Sequence, residues 1–462
     1  MIESRSIDYV PLGERHGRVG DQAKFWFLGN FQFFTIAIGF IGPQMGLSLG
    51  YTILAATIGI LIGTVFQAFH ASQGAELGLP QMVQSRAQFG YRGVILPLFA
   101  TLLTYVGFNI ADTVLITGGL FSLAGWNRTL VAILVSIVGA ILAIWGHDWL
   151  HRAFKILFWI SVPLFTLLTA AVLAGYPPPT MHATGGFNAV AFFTQLTAGA
   201  AYNITYATYV SDYSRYLPAN TPRYRIIASV FAGAAGSAIW LIALGAWLAT
   251  HSTGTDALLD LTQAGNGVIP GLGFALAAAS VSALVATMGM NAYSGMLTII
   301  TAIDAFRPVA PTRRIRILCI TCLAVFWTAL SLTFGGNAIG ALDGVFAVML
   351  YLLAPWTAIN LADYFFVRNG AYAVTHLFLP NGIYGRWRRE GLLAYAVGFA
   401  ASLPFGVIPG IATGPAAAWL GGVDIGWLVG IAVTGGAYLW LSRSYDPSVE
   451  AAAVAESQAV LF

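Results

Sequence analysis

Charge is what this chain has least of. Only 8% of its 462 residues are Asp, Glu, Lys or Arg, against about 25% in an ordinary soluble domain. That excludes a water-soluble globular protein. The net charge of +3 says little by itself; where the charges lie matters more. Cysteine is nearly absent too. Cys319 and Cys322 stand alone as Cys-Ile-Thr-Cys in an apolar run, without further ligands nearby, so packing is a better reading than a metal or redox site. Residues 1–24 are polar and hold no apolar run of the kind a cleavable signal needs. No His-Glu-x-x-His, phosphate-binding glycine loop, nucleophile elbow or Cys/His metal spacing occurs. The expectation is therefore no enzyme, no cofactor, and no metal beyond a coupling ion. No inner loop is long enough for a nucleotide-hydrolysing domain, which favours a secondary carrier over a pump.

What the chain has instead is apolar length. It is 58% hydrophobic, and runs near twenty residues, the length that spans a bilayer as a helix, recur throughout. Barrel strands would alternate in shorter segments. Twelve spans are predicted, at about 25–50, 52–72, 94–122, 129–146, 156–175, 190–212, 226–250, 272–300, 315–334, 341–366, 392–411 and 424–441. An even number puts both termini on one side. With that side inside, 20 of the 21 Lys and Arg fall in inner segments and only Arg128 lies outside, as the positive-inside rule requires. The expected protein is an all-α, multi-pass protein of the cell membrane with both termini cytoplasmic.

The first span is the unusual one. Ala37-Ile38-Gly39-Phe40-Ile41-Gly42-Pro43 places two glycines and a proline in its middle. Pro43 has no N–H for the carbonyl of Gly39, and a freed carbonyl at membrane depth needs protein, water or an ion. Transporters place ligands at such broken helices; a plain proline kink is the other reading. The sixth span is interrupted in the same way by Gly199-Ala200-Ala201-Tyr202-Asn203. Two interrupted spans five apart are the pattern of two inverted five-helix repeats. The organisation read from this is a cytoplasmic segment 1–24, a first repeat 25–175, an inverted repeat 190–366, two extra helices in 392–441 and a tail 442–462. Between the second and third spans, 73–93 reads as a short interfacial helix, a gating loop or a plain linker.

Few ionisable or amide groups fall inside spans, and those that do are functional candidates. Phe108 and Asp112 lie one turn apart on the third span, with Asn109 beside them. A ring could stack on Phe108 while Asp112 accepts one of its N–H groups; alternatively Asp112 bonds a neighbouring helix. Asn291 on the eighth span could read a nucleobase edge in both senses, or act as interhelical glue. Asp343 and Asp363 in the tenth span reach the interface in the simplest reading, and His70 is a packed histidine or a proton-linked group.

Taken together, Arg5-Ser6-Ile7-Asp8-Tyr9-Val10-Pro11 with Glu14-Arg15, Gly78-Leu79-Pro80 through Arg86-Ala87-Gln88-Phe89-Gly90-Tyr91-Arg92-Gly93, Asp212-Tyr213-Ser214-Arg215-Tyr216 and Asn291-Ala292-Tyr293-Ser294 resemble the nucleobase–cation symporter family, in its purine–cytosine permease branch. The likeness covers essentially all the spans. It implies the leucine-transporter-type fold, with substrate held between spans one, three, six and eight. Carried over residue by residue, it implies Gly39 and Phe40 at the helix-one turn, Phe108, Asn109 and Asp112 on span three, Tyr202 or Asn203 on span six, and Asn291 on span eight. Sodium-coupled relatives imply a cation site from the carbonyls of Ala37 and Phe40 with span-eight hydroxyls. Here those positions are Ser282, Val285 and Ala286, and Thr287 serves only if the register slips by one. A proton carried by Asp112 is the alternative coupling ion. The expected activity is import of cytosine or a purine with H+ or Na+. A same-fold carrier of hydantoin, allantoin, uracil or a vitamin-like ring is the second reading, and a passive channel the third. The expected partners are a small-molecule nucleobase and the lipid bilayer, with no nucleic acid and no obligate protein partner.

Overall fold

The computed structural model describes residue 3 and residues 5–176, 185–251, 256–333 and 338–461, with the side chains of 338–346, Asp343 among them, outside the description. The chain enters its apolar part through α1 (Val19–Asn30), α2 (Phe33–Ile38) and α3 (Ile41–Gln44). After α4 (Leu49–Leu77) come two single turns, α5 (Gln81–Gln84) and α6 (Arg86–Phe89). Then follow α7 (Ile95–Ala124), α8 (Arg128–Trp145), α9 (His147–Leu173), α10 (Ala189–Tyr206) and α11 (Val210–Ser214). The next group is α12 (Arg223–His251), α13 (Ala257–Val268), α14 (Leu272–Asp304), α15 (Arg313–Thr333) and α16 (Ala338–Ala362). The chain closes with α17 (Arg389–Ser402), α18 (Pro415–Trp419), α19 (Gly426–Leu441) and α20 (Pro447–Leu461).

Among the described residues, eight helices are long and apolar enough to cross a membrane: α4, α7, α8, α9, α12, α14, α15 and the α16 stretch Ala347–Val367. A ninth span results if α1 and the α2–α3 pair are taken together; they meet at a 56° bend. α19 is a shorter apolar helix. α10 and α17 occupy the expected sixth and eleventh spans without reaching that length and apolarity.

The first span is interrupted at Gly39–Phe40, between α2 and α3, within the stretch expected, but its sharp bend and the break of the sixth span lie elsewhere. In the first span the bend is at Phe31–Gln32. Gln32 is extended, and its Oε1 accepts the Phe34 N–H at 2.6 Å, so its side chain caps α2. The Asn30 carbonyl, freed by the break, accepts the Thr35 hydroxyl at 2.6 Å. Pro43 instead sits inside the four-residue α3, where a missing N–H costs little. Gln195 of α10 spans that turn, accepting from Gly42 N at 2.9 Å and donating to Ile38 O at 3.2 Å. In the sixth span α10 runs unbroken through Gly199–Asn203, and the interruption is Ala207–Tyr209. The small residues there serve packing. A Cβ on Gly59 of α4 would stand 2.1 Å from the Leu196 carbonyl, and one on Gly63 would stand 2.4 Å from that of Ala200. The two backbones touch because side chains are absent.

The 73–93 stretch is buried rather than interfacial. The Gln81 N–H bonds Asp212 Oδ1 at 2.9 Å, Arg86 pairs with Asp304 at 2.9 Å, and Gln88 Nε2 reaches Asp363 Oδ2 at 2.7 Å. His70 is a packed histidine, stacked on Trp356 and bonded to Thr357 and Gln81. Asp363 does not reach an interface either: it is fully buried and held by Arg368, Tyr372, Tyr438 and Gln88. Cys319 is buried and Cys322 exposed, and both are free thiols.

The polar leader is part of the core. Ile7 and Val10 are buried, and Glu3 gathers Arg215, Arg316, Tyr216, Tyr293 and the His147 N–H around one carboxylate. Burial pushes the Glu3 carboxyl up, but Arg316 and Arg215 more than reverse this and hold it below its ordinary range. A lowered value means stability that is full above the unfolded-state value, about 4.3, and lost as pH falls through the lower folded value. Glu3→Gln is therefore expected to cost about 3–5 kcal/mol at pH 7, since two buried arginines lose their counter-charge. Thermal unfolding in detergent should show the wild-type advantage shrinking as pH falls below about 4; an advantage independent of pH would contradict this account.

Candidate functional site

Three helical elements converge where the first span breaks. α7 brings Phe108, Asn109 and Asp112. Asn109 and Asp112 are buried and Phe108 half-buried. α2 brings Phe34, which meets Phe108 edge to face with centroids 5.7 Å apart and stacks on Tyr202 of α10 at 5.8 Å. The result is an aromatic wall of Phe108, Phe34 and Tyr202. A flat ring can stack on such a wall, at about 0.5–1.5 kcal/mol per aromatic pair beyond simple burial.

Hydrogen bonds fix the wall to the break itself. Gln32 Nε2 donates to the Tyr202 hydroxyl at 2.8 Å. That hydroxyl donates to Thr35 Oγ1 at 2.8 Å, since Thr35 spends its own proton on Asn30 O. This chain of donors, Gln32 to Tyr202 to Thr35 to the freed carbonyl, couples the span-six aromatic to the unwound turn of span one. Tyr202→Phe keeps the ring but orphans the Gln32 amide, for about 1–3 kcal/mol. The expected result is a lower apparent melting temperature together with weaker ligand binding. An unchanged melting temperature would mean that the relay carries no weight.

The polar half of the site is an amide chain beside a carboxylate. Asn291 Nδ2 donates to Asn109 Oδ1 at 3.0 Å, and Asn109 Nδ2 donates to the Met288 carbonyl at 3.2 Å. This leaves Asn291 Oδ1 and Asp112 Oδ2, both buried, as acceptors with no hydrogen-bond partner among the described residues. Asp112 lies within electrostatic reach of Tyr202, Tyr206 and Tyr209. Buried polar groups without partners cost about 1–3 kcal/mol each, so each of these acceptors favours a donor brought to it. Two free acceptors beside an aromatic wall suit a planar ring that carries N–H donors.

The remaining expected residues divide. Asn203 faces away from the wall: its Nδ2 donates to Thr64 Oγ1 at 2.6 Å and its Oδ1 accepts from Asn30 Nδ2 at 2.8 Å, tying α10 to α4 and α1. Gly39 is a packing glycine, because a Cβ there would stand 2.3 Å from the Ile242 carbonyl of α12. Phe40 is buried, and its carbonyl accepts the Gln44 N–H at 3.0 Å. The Ala37 carbonyl accepts the Phe40 N–H at 3.0 Å. Of the two hydroxyls expected for a cation, Ser282 is exposed on α14. Thr287 is buried and donates to Ala283 O at 3.1 Å. Ser282 therefore does not face the core. The unforeseen hydroxyl is Ser280, buried with its Oγ unpartnered among the described residues.

Gln32, Phe34 and Thr35 were not singled out from the sequence. The available signal was the pair of amides Asn30 and Gln32 inside an apolar run, which is costly unless paired or functional. α13 was also missed. It is capped by Asp256, whose Oδ1 accepts from Leu258 N and Leu259 N at 3.0 Å each, and it packs against α14, α7 and α2 near the site.

The family described as permeases for cytosine/purines, uracil, thiamine and allantoin matches residues 9–430. YxlA of Bacillus subtilis, which carries a purine–cytosine permease name, is 35% identical over 96% of both chains. The purine–cytosine permease fcyB of Emericella nidulans is 26% identical over 95% of this chain and 88% of its own. Among solved structures, Mhp1, a nucleobase-cation-symport-1 transporter in a closed conformation with bromovinylhydantoin bound, superposes with a TM-score of 0.75. The superposition covers 97% of this chain and 98% of Mhp1, at 18% identity.

Proposed function

Because this chain belongs to the family of permeases for cytosine/purines, uracil, thiamine and allantoin, we propose that it imports cytosine or a purine by cation symport. It is a multi-pass membrane transporter rather than an enzyme, and its cargo is a small molecule of the nucleobase type. The observation that carries the finer reading is the pair of unpartnered buried acceptors, Asp112 Oδ2 and Asn291 Oδ1, beside the Phe108–Phe34–Tyr202 wall. Cytosine and purines are flat and carry ring or exocyclic N–H donors, so they supply what those acceptors lack. A proton on Asp112 is the favoured coupling ion, since this carboxyl is buried with an oxygen unpartnered among the described residues and Ser282 faces outward. The twelve-span, five-plus-five inverted arrangement, with both termini on the cytoplasmic side of the cell membrane, completes the reading. In this scheme the first two helices of each repeat rock against the rest and expose the site alternately to each side.

The test is ligand-dependent thermal stabilisation of the purified protein with cytosine, adenine, guanine, hypoxanthine, uracil, hydantoin and allantoin. A ligand at about 100 times its dissociation constant stabilises by about 2.7 kcal/mol. Cytosine or one of the purines is expected to give the largest shift. Stabilisation by hydantoin or allantoin alone would move the assignment to the second substrate class, and no shift with any of these rings would overturn it.

A further inference from the structure

We propose that His16, His147 and Asp148 form a divalent transition-metal site that ties the N-terminal segment to the start of α9. The three ligand atoms lie within 4.8 Å of one another. His147 Nδ1 is 3.0 Å and His16 Nε2 is 3.1 Å from the same oxygen, Asp148 Oδ1. In a tetrahedral zinc site with bonds near 2.0–2.1 Å, neighbouring ligand atoms stand about 3.3 Å apart, close to the two nitrogen–oxygen separations here.

The other ring nitrogens carry the argument. His16 Nδ1 lies 2.8 Å from the Glu14 carbonyl, and His147 Nε2 lies 3.2 Å from the Tyr213 carbonyl. A carbonyl and an ionised carboxylate both only accept, so each ring faces an acceptor at both of its nitrogens. Such a ring either carries both protons as an imidazolium or donates to the carbonyl alone and offers its other nitrogen to a metal ion shared with the carboxylate. Metal-bound histidines nearly always donate their second N–H to a backbone carbonyl or a carboxylate, which fixes the tautomer. Here both outer partners are already in place. Two imidazoles and a carboxylate suit Zn2+, Co2+ or Ni2+ better than Mg2+ or Ca2+. Access is open: His16 and Asp148 side chains are 59% and 65% exposed, while His147 is buried and fixed. Spacing in the sequence hides the site, because His16 and Asp148 are 132 residues apart.

A bound ion pins residue 16 beside Tyr216, whose ring His16 already touches, and beside the Glu3 cluster. The site is independent of which ring the protein carries. The test is titration of the tag-free full-length protein in nanodiscs with Co2+, following the visible absorption of tetrahedral cobalt, and then with competing Zn2+. One equivalent of Co2+ is expected to give those bands and Zn2+ to bleach them. Changing only the outer partners of a metal-bound histidine typically costs about 10–100-fold in affinity, so His16→Ala and Asp148→Asn, both at exposed positions, are each expected to cost at least that. Absence of the bands, or bands that persist in both variants, would overturn the proposal and leave a simple histidine–aspartate ion pair.

Discussion

Asp112→Asn is expected to abolish accumulation of substrate against its gradient while leaving the protein folded. The side chain keeps its shape but loses its charge and its ability to carry a proton. With the coupling proton aboard, the carboxyl is a neutral partner whose hydrogen bond is worth about 0.5–1.5 kcal/mol, so binding should weaken by about 10-fold at most. Residual transport should equilibrate only, without response to an imposed proton gradient. Stability should hold or rise, because a buried carboxylate oxygen without a partner is a burden on the fold. Uphill uptake unchanged in the variant would remove Asp112 from both binding and coupling.

Asn291→Ala is the second large effect. It deletes an unpartnered acceptor and leaves Asn109 Oδ1 without the donor it now holds at 3.0 Å. An unmet buried partner costs about 1–3 kcal/mol. A site built to hydrogen-bond its ligand also discriminates by what it would leave unpaired. Competition assays should therefore show weaker binding of the favoured base and a collapse of the preference among bases. If Asn291 is only interhelical glue, stability should fall by about 0.6 kcal/mol with the preference intact.

The long helices were legible because an apolar run of spanning length admits few alternatives. The expected 52–72, 94–122, 129–146, 226–250, 272–300 and 315–334 all fall within or against α4, α7, α8, α12, α14 and α15. The third-span triad Phe108, Asn109 and Asp112 stood out as a candidate for a related reason, since polar groups in such a run are conspicuous. The sharp bend of the first span and the break of the sixth were misplaced because glycine and proline are local signals, whereas a break depends on tertiary partners. Gln195 satisfies the turn around Pro43 from another helix, and the Gln32–Tyr202–Thr35 relay holds the true bend at Phe31–Gln32. Gly199 and its neighbours looked like an interruption, yet they let α10 lie against α4. Asn203 went to that packing face and Tyr202 to the aromatic wall, a choice set by helix rotation that sequence alone does not fix. Ser282 failed for the same reason: on α14 it is exposed, whereas Ser280 and Thr287 are among the hydroxyls that face inward.

The most direct measurement of the central claim is uptake of radiolabelled cytosine into proteoliposomes under a proton gradient alone and, separately, a sodium gradient alone, with unlabelled purines as competitors. The account predicts uphill uptake driven by the proton gradient, competed by purines and absent in Asp112→Asn. Uptake driven only by sodium would contradict the role given to Asp112 and direct attention to Ser280 and Thr287 on α14. Failure of cytosine and of every purine to enter or compete would contradict the substrate itself.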